Sequence, residues 1–330
     1  MSDAHPLDEQ RPTSKVDQRL LEVIAVLDRL PFPGHGQTWE RFETFASLAE
    51  EDLSLARLGE GHADALAILG ESGRGDRHPG ATYGVWAARS GTGGVTATPV
   101  AGGWRLTGHK PFCSGSGLLD RAIVTAEAPD GYRLFDIATC DAVIATAPDS
   151  WPAVGMAESS SETLSFGGPV LSADDAIGPP GFYMDRPGFW FGACGVAACW
   201  YGGARGLVDG VIATLTDEPG DLALAEIGKA ASELQAMHDA LESVAVAIDA
   251  DAEDKGSRAQ VRALIVRQIV HKACEAVLRL TAAAGGARPL CHDPAQARRA
   301  ADLYVYLAQH HGGADAVRLG RLTMGGQRWS

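Results

Sequence analysis

The chain has 330 residues, 45% of them hydrophobic, and a formal net charge of −14 with an isoelectric point near 5.1. That is enough apolar material for two or three domains, while the acidic balance without a basic run argues against a nucleic-acid partner. Six cysteines stand at 113, 140, 194, 199, 274 and 291 with no Cys-x-x-Cys spacing. They predict free thiols in a reducing cytoplasm, and neither a zinc site nor a disulfide framework. The stretch MSDAHPLDEQRPTSK lacks the apolar core of a secretory signal, and the longest apolar run, Phe189–Tyr201, is too short to cross a bilayer.

From Ser14 the pattern is helical, with Val16, Leu20, Ile24 and Leu27 on one face and Ser14 paired with Asp17 as an N-terminal cap. Pro31-Phe32-Pro33-Gly34 ends it. A second helical region covers roughly Trp39 to Leu69, and the Gly- and Pro-containing run Glu71–Ala81 then marks a boundary. Residues 82–170 read as strands. Val95–Val100 and Trp104–Thr107 flank a Gly102-Gly103 hairpin, Ala122–Glu127 and Tyr132–Ile137 flank Pro129-Asp130-Gly131, and Glu162–Phe166 follows. Short strands with regular turns suggest a small barrel or sandwich. After Pro187 the chain is helical again, with stripes over Leu222–Ile248 and Val261–Leu280, a stop at Gly285-Gly286 and a further helix over Gln296–His311. Cys291-His292-Asp293 reads as ordinary loop. The expected domains are residues 1–81, 82–182 and 183–330.

One bend interrupts this regular scheme: Gly103–Ala126, GWRLTGHKPFCSGSGLLDRAIVTA, crowds Lys, Phe, Cys, Ser and Gly between two strands. It resembles the middle-domain signature of the acyl-CoA dehydrogenase superfamily through Gly103, Trp104, Leu106, Gly108, Lys110, Phe112, Ser114, Gly115, Asp120, Val124 and Ala126. Gly155-Met156, Phe166 and Ile177-Gly178 extend the likeness. The resemblance implies an α+β, mainly α fold: N-terminal helices, shorter than usual for the family, a small middle β-barrel and a C-terminal helical bundle. It also implies FAD, with FMN left open, and a homodimer or homotetramer that shares the cofactor. On this reading Phe112 would be the wall beside the flavin ring, and Ser114 the hydroxyl near its N5. Cys113 would lie within the same cradle, and Gly115 and Gly117 would let the backbone approach. The second flavin-side loop corresponds to Ala88–Gly94, in which Ala88 and Ser90 are the candidate contacts. Gly285 and Gly286 match the glycines that help hold the FAD pyrophosphate of a neighbouring subunit. No clear counterpart of the adenine-side Arg and Phe-Gln contacts occurs between Arg205 and Lys229.

The family's catalytic carboxylate has no counterpart. An ungapped alignment over Asp302–Arg321 puts His310 in its place, and the subfamily alternative falls on Gly192 or Ala193. A histidine can act as a base near neutral pH, so His310 is the catalytic candidate. His62 reads more readily as a cap or a surface residue. Three functions remain open at this stage. The first is α,β-oxidation of an acyl thioester by a flavoprotein with an electron-transfer partner. The second is a two-component monooxygenase of the same fold, fed by a flavin reductase and using His and Ser near the flavin. The third is a flavin-free binding or assembly protein.

Overall fold

The computed structural model describes residues 14–75, 78–89 and 94–329. It resolves into two compact units. The first comprises the described part of Met1–Asp28 with Gly61–Pro152 and Glu158–Met184. The second comprises Arg29–Glu60, Ala153–Ala157 and the described part of Asp185–Ser330.

Helix α1 (Lys15–Leu27) begins where its cap predicts. The Asp17 N–H donates to Ser14 Oγ at 3.1 Å and the Ser14 N–H to Asp17 Oδ2 at 3.3 Å, a reciprocal capping box. The helical region expected from Trp39 to Leu69 consists of two helices, α2 (Thr38–Glu51) and α3 (Leu53–Glu71). Asp52 separates them with extended backbone, φ −157° and ψ 126°, and its carboxylate accepts from the Ser54 and Leu55 N–H groups. It therefore starts α3 in the act of ending α2.

The first unit is built on one eight-stranded mixed sheet, counted over the described residues. Its strands are β1 (Tyr83–Trp86), β2 (Val95–Val100), β3 (Gly103–Cys113), β4 (Arg121–Ala128), β5 (Gly131–Ala138), β6 (Ile144–Thr146), β7 (Glu162–Ser172) and β8 (Ala176–Ile177). The order is β6-β7-β3-β2-β4-β5-β8, with β1 parallel to β4. Both expected hairpins form: Val100 pairs with Gly103 and Ala128 with Gly131. The short β6 and β8 carry too little alternation to be seen in sequence. Strand β4 shows how the period of two builds the core. Ala122, Val124 and Ala126 face Leu106, Phe135 and Phe166, while Ile123 faces Ala65, Ile68 and Leu69 of α3. A single turn, α4 (Phe182–Asp185), follows the last strand.

In the second unit α2 packs on α5 (Gly188–Ile212), and α5 in turn packs on α6 (Asp221–Ala250), α7 (Ala259–Gly285) and α9 (Pro294–Leu307). Helix α10 (Gly312–Met324) lies on α7. Small residues bring these helices close. A Cβ at Gly202 would stand 2.0 Å from the Ala46 carbonyl oxygen, so α5 and α2 touch backbone to backbone there. Residues Arg288–His292, expected as loop, form the short helix α8, with Asp293 capping α9 through the Ala295 and Gln296 N–H groups. The helix expected to reach His311 ends at Leu307.

Candidate functional site

The bend after β3 is strained in one place, and that place is Phe112. Its φ is +58°, a left-handed value that costs a residue with a side chain about 1–2 kcal/mol. The pairing of β3 with β7 slips between Lys110 and Cys113, so the strained residue lies within an irregularity of the ladder. The outcome is a large aromatic ring left 58% exposed, held edge-on by Trp151 at 6.4 Å. A flat apolar group presented in this way suits stacking against another ring system.

Around it the polar groups are mostly committed. The Ser114 hydroxyl is buried and shares a 2.8 Å hydrogen bond with the Ser161 hydroxyl, which in turn shares one of 2.8 Å with Ser159. The Ser114 carbonyl accepts from the indole of Trp86 at 2.9 Å. The Gly115 N–H donates to the Ser159 carbonyl, and the Ser116 N–H to that of Cys113. Gly115 and Gly117 both have positive φ, +74° and +77°, so they serve the turn itself. Among residues 112–119, the exposed Phe112 ring and Gly117 are what this bend offers a ligand. The Cys113 side chain faces the sheet core, where its thiol donates to the Lys110 carbonyl and burial pushes its pKa up to about 12.

Lys110, also inside, ties the bend to the preceding loop. Its ammonium donates to Thr125 Oγ1 at 2.7 Å and to the Ala88 carbonyl at 3.3 Å, and burial brings its pKa down to about 8. Tyr132 donates to the same Thr125 oxygen at 2.8 Å, and the Arg89 guanidinium lies 4.5 Å over the Tyr132 ring. Ala88 thus takes part through its backbone. Ser90 lies outside the described residues.

In the helical unit His310 is enclosed, its side chain 1% exposed. Nε2 lies 3.2 Å from Gln268 Oε1, so with that amide as oriented Nε2 carries the proton and Nδ1 the lone pair. Nδ1 is 3.6 Å from Asp315 Oδ2, beyond hydrogen-bond reach. The ring stacks on His271 at 4.5 Å and meets Trp200 edge-on at 6.2 Å. Burial first, then His271 and Arg267, lower the His310 pKa to about 4, so it is neutral at physiological pH. Arg267 reaches the second candidate position: its Nη1 donates to the Ala193 carbonyl at 2.9 Å, and the guanidinium lies 4.6 Å over Trp200. The sequence reading missed Arg267, Gln268, His271 and Trp200. A guanidinium set within the apolar stripe of α7 was the available signal. His311, by contrast, is exposed at the N-cap position of α10.

The remaining candidates have structural explanations. His62 is neither a cap nor a surface residue. It is fully buried, accepting at Nδ1 from the Tyr83 N–H at 3.1 Å and donating from Nε2 to Asp28 at 2.9 Å. Gly285 ends α7 with Pro289 where its Cβ would be, 2.7 Å away, and Gly286 turns the chain at φ +63° with open space beside it. Arg205 forms ion pairs with Glu43 at 2.8 Å and Glu50 at 2.5 Å.

No family model matches the sequence, and no curated protein matches it either. Solved structures do match in shape. TdsC from Paenibacillus sp. A11-2, a dibenzothiophene monooxygenase solved with FMN and indole, shares 18% identity over 96% of this chain and 98% of its own, at a TM-score of 0.78. Butyryl-CoA dehydrogenase from Megasphaera elsdenii shares 12% over 96% and 100%, at 0.75. Methanesulfinate monooxygenase MsuC from Pseudomonas fluorescens shares 15% over 99% and 100%, at 0.74. These superpositions, over nearly the whole of both chains, show that the chain has the acyl-CoA dehydrogenase fold.

Proposed function

We propose that the chain is a flavin-dependent oxidoreductase, and specifically a monooxygenase that takes up reduced FMN supplied by a separate reductase and oxygenates a small molecule. The observation that carries this reading is His310. Where a dehydrogenase of this fold keeps an ionised carboxylate, this chain has an enclosed imidazole held neutral with a pKa of about 4. On taking up a proton this imidazole would become a cation beside His271 and Arg267, which disfavour it, whereas a carboxylate would lose a charge, so His310 is poorly matched to removing the α-proton of a thioester.

The residues of the bend fit a flavin. Phe112 offers an exposed aromatic face on a backbone strained to present it, Gly117 adds an open approach, and Lys110 pins the neighbouring Ala88 backbone. When bound and reduced, a flavin brings the two electrons that make dioxygen reactive toward a substrate. The sheet unit's own contributions are the flat wall at Phe112 and the buried Ser114–Ser161–Ser159 hydroxyl chain. Two observations support FMN over FAD. Arg205, the one arginine near the expected adenine-side contacts, is spent on Glu43 and Glu50, and TdsC was solved with FMN. The glycines at 285 and 286 are explained by the end of α7 alone.

The test is an anaerobic titration of the full chain with oxidised FMN, reduced FMN and oxidised FAD. The reading expects reduced FMN to bind at least about tenfold tighter than either oxidised flavin, a difference of about 1.4 kcal/mol. Stoichiometric oxidised FAD that an acyl-CoA bleaches would return the protein to the dehydrogenases. Binding of no flavin in any state would leave the assembly reading.

A further inference from the structure

Lys110 is a charge kept inside the sheet unit on neutral acceptors. The residue is 2% exposed, and among the described residues it forms no ion pair. Its ammonium donates to Thr125 Oγ1 and to the Ala88 carbonyl. Three titratable neighbours act on the charge. Cys113 on β3 and the exposed Glu127 on β4 support it, Arg89 beyond β1 opposes it, and burial outweighs all three. An ammonium enclosed in this way is costly, and here it stands at the centre of a ring of contacts. Lys110 reaches Ala88 and Thr125, Tyr132 donates to the same Thr125 oxygen at 2.8 Å, and the Arg89 guanidinium lies 4.5 Å over the Tyr132 ring. Arg89 follows Ala88 in the chain, so the ring is closed, and it joins β3, β4 and β5 to the backbone just beyond β1. The main chain of Lys110 meanwhile holds the bend. Its carbonyl accepts the Cys113 thiol across the slip in the β3–β7 ladder that contains the strained Phe112. One residue thus ties the aromatic wall to the Ala88–Arg89 backbone.

We infer that Lys110 is a positioning residue whose charge clasps the Ala88–Arg89 backbone to the bend, and that the clasp loosens when the ammonium gives up its proton. The flavin site is then formed at neutral pH and relaxes in mild alkali. That the clasped backbone serves a flavin rests on the oxygenase reading; that the charge holds the backbone does not. Burial brings the Lys110 pKa down to about 8, which sets where the change falls. The neutral amine keeps two N–H groups but loses the charge assistance that makes such bonds roughly twice as strong. Global stability moves the other way. The unfolded chain holds this proton to pH ~10.4 and the folded one releases it near 8, so deprotonation favours the folded state as pH rises.

The test is limited proteolysis of the full chain from pH 7 to pH 9, beside titrations with reduced FMN. Trypsin cleavage after Arg89 is normalised to cleavage after Lys255, exposed in the turn between α6 and α7. In the wild type, cleavage after Arg89 should quicken by about tenfold with a midpoint near pH 8. Lys110→Met should be cut at the fast rate throughout and Lys110→Arg at the slow rate throughout, and reduced-FMN affinity should follow the same three patterns. Over the same range the melting temperature of the wild type should rise relative to that of Lys110→Met; general alkaline loosening of the wild type would lower it together with the protection at Arg89. Wild-type cleavage that is flat with pH, or protection that survives in Lys110→Met, overturns the proposal. Reduced FMN bound equally by the wild type and Lys110→Met overturns it as well. The wild-type profile keeps the test valid if neither variant folds. The expected cleavage pattern in a chain that takes no reduced FMN would sink the oxygenase reading and leave the clasp standing.

Discussion

His271, on α7, and His310, in the turn between α9 and α10, pack ring against ring, centroids 4.5 Å apart and planes inclined by 39°. Two imidazoles this close cannot both be charged without strong repulsion, and both have pKa values lowered chiefly by burial. The folded state therefore favours the neutral rings, and a pH dependence follows. For His310 the unfolded chain takes up its proton near pH ~6.5, the folded one near 4. Its contribution is fully present above the unfolded value and is lost as pH falls between the two, by at most about 3 kcal/mol. His271 acts in the same direction. Melting temperature measured from pH 7 to pH 4 should fall, and His310→Gln should flatten that fall. Parallel curves for the two proteins would show that His310 does not titrate in this way.

Phe112 separates binding from stability. Its ring is exposed and its backbone strained, so Phe112→Gly should leave the melting temperature unchanged or slightly higher, within about 1 kcal/mol. A core phenylalanine cut to a small residue would cost about 3–5 kcal/mol. Reduced-FMN affinity should drop in the same variant. A stable variant with intact affinity would remove Phe112 from the flavin site.

Arg205 tests the choice of cofactor. Its partners are about one-third exposed, so Arg205→Ala should cost about 1 kcal/mol or less. Because the guanidinium is engaged by Glu43 and Glu50, FMN affinity should not change. A large loss of flavin affinity would show that the arginine leaves its carboxylates for the cofactor.

Gly202→Ala should be the most damaging single methyl in the helical unit. The new Cβ would meet the Ala46 carbonyl at 2.0 Å, and backbone on both sides prevents a local escape. A loss of at least about 1–3 kcal/mol is expected in denaturant unfolding. A wild-type midpoint would mean that α5 and α2 separate at little cost.

Local features were legible in the sequence and juxtapositions were not. The Ser14–Asp17 cap, the Gly102-Gly103 hairpin and the stop at Gly286 each depend on a few neighbouring residues. The break at Asp52 escaped because neither Gly nor Pro marks it, and a carboxylate inside an acidic run does not announce a cap. At the candidate site, Phe112 and Lys110 stood out because they lie in one contiguous motif. The strain at Phe112 could not be read, since it depends on how β3 slips against β7. The group of Arg267, Gln268, His271, Trp200 and His310 comes from segments far apart in the chain. Only packing brings them together, so the sequence showed His310 without its surroundings. His62 misled for the same reason: its partners, Asp28 and Tyr83, belong to other elements.

The cysteines have a practical consequence. Four of the six are buried, and those at 113 and 194 have pKa values pushed up to about 12, which keeps their sulfurs protonated and slow to react. Cys140 and Cys291 are exposed, the first in the sheet unit and the second in the helical unit. Under native conditions a maleimide reagent should therefore add twice, once to each. The unaltered chain thus already carries one attachment point per unit, so a sulfur-reactive probe can be placed on either unit by removing the other exposed cysteine.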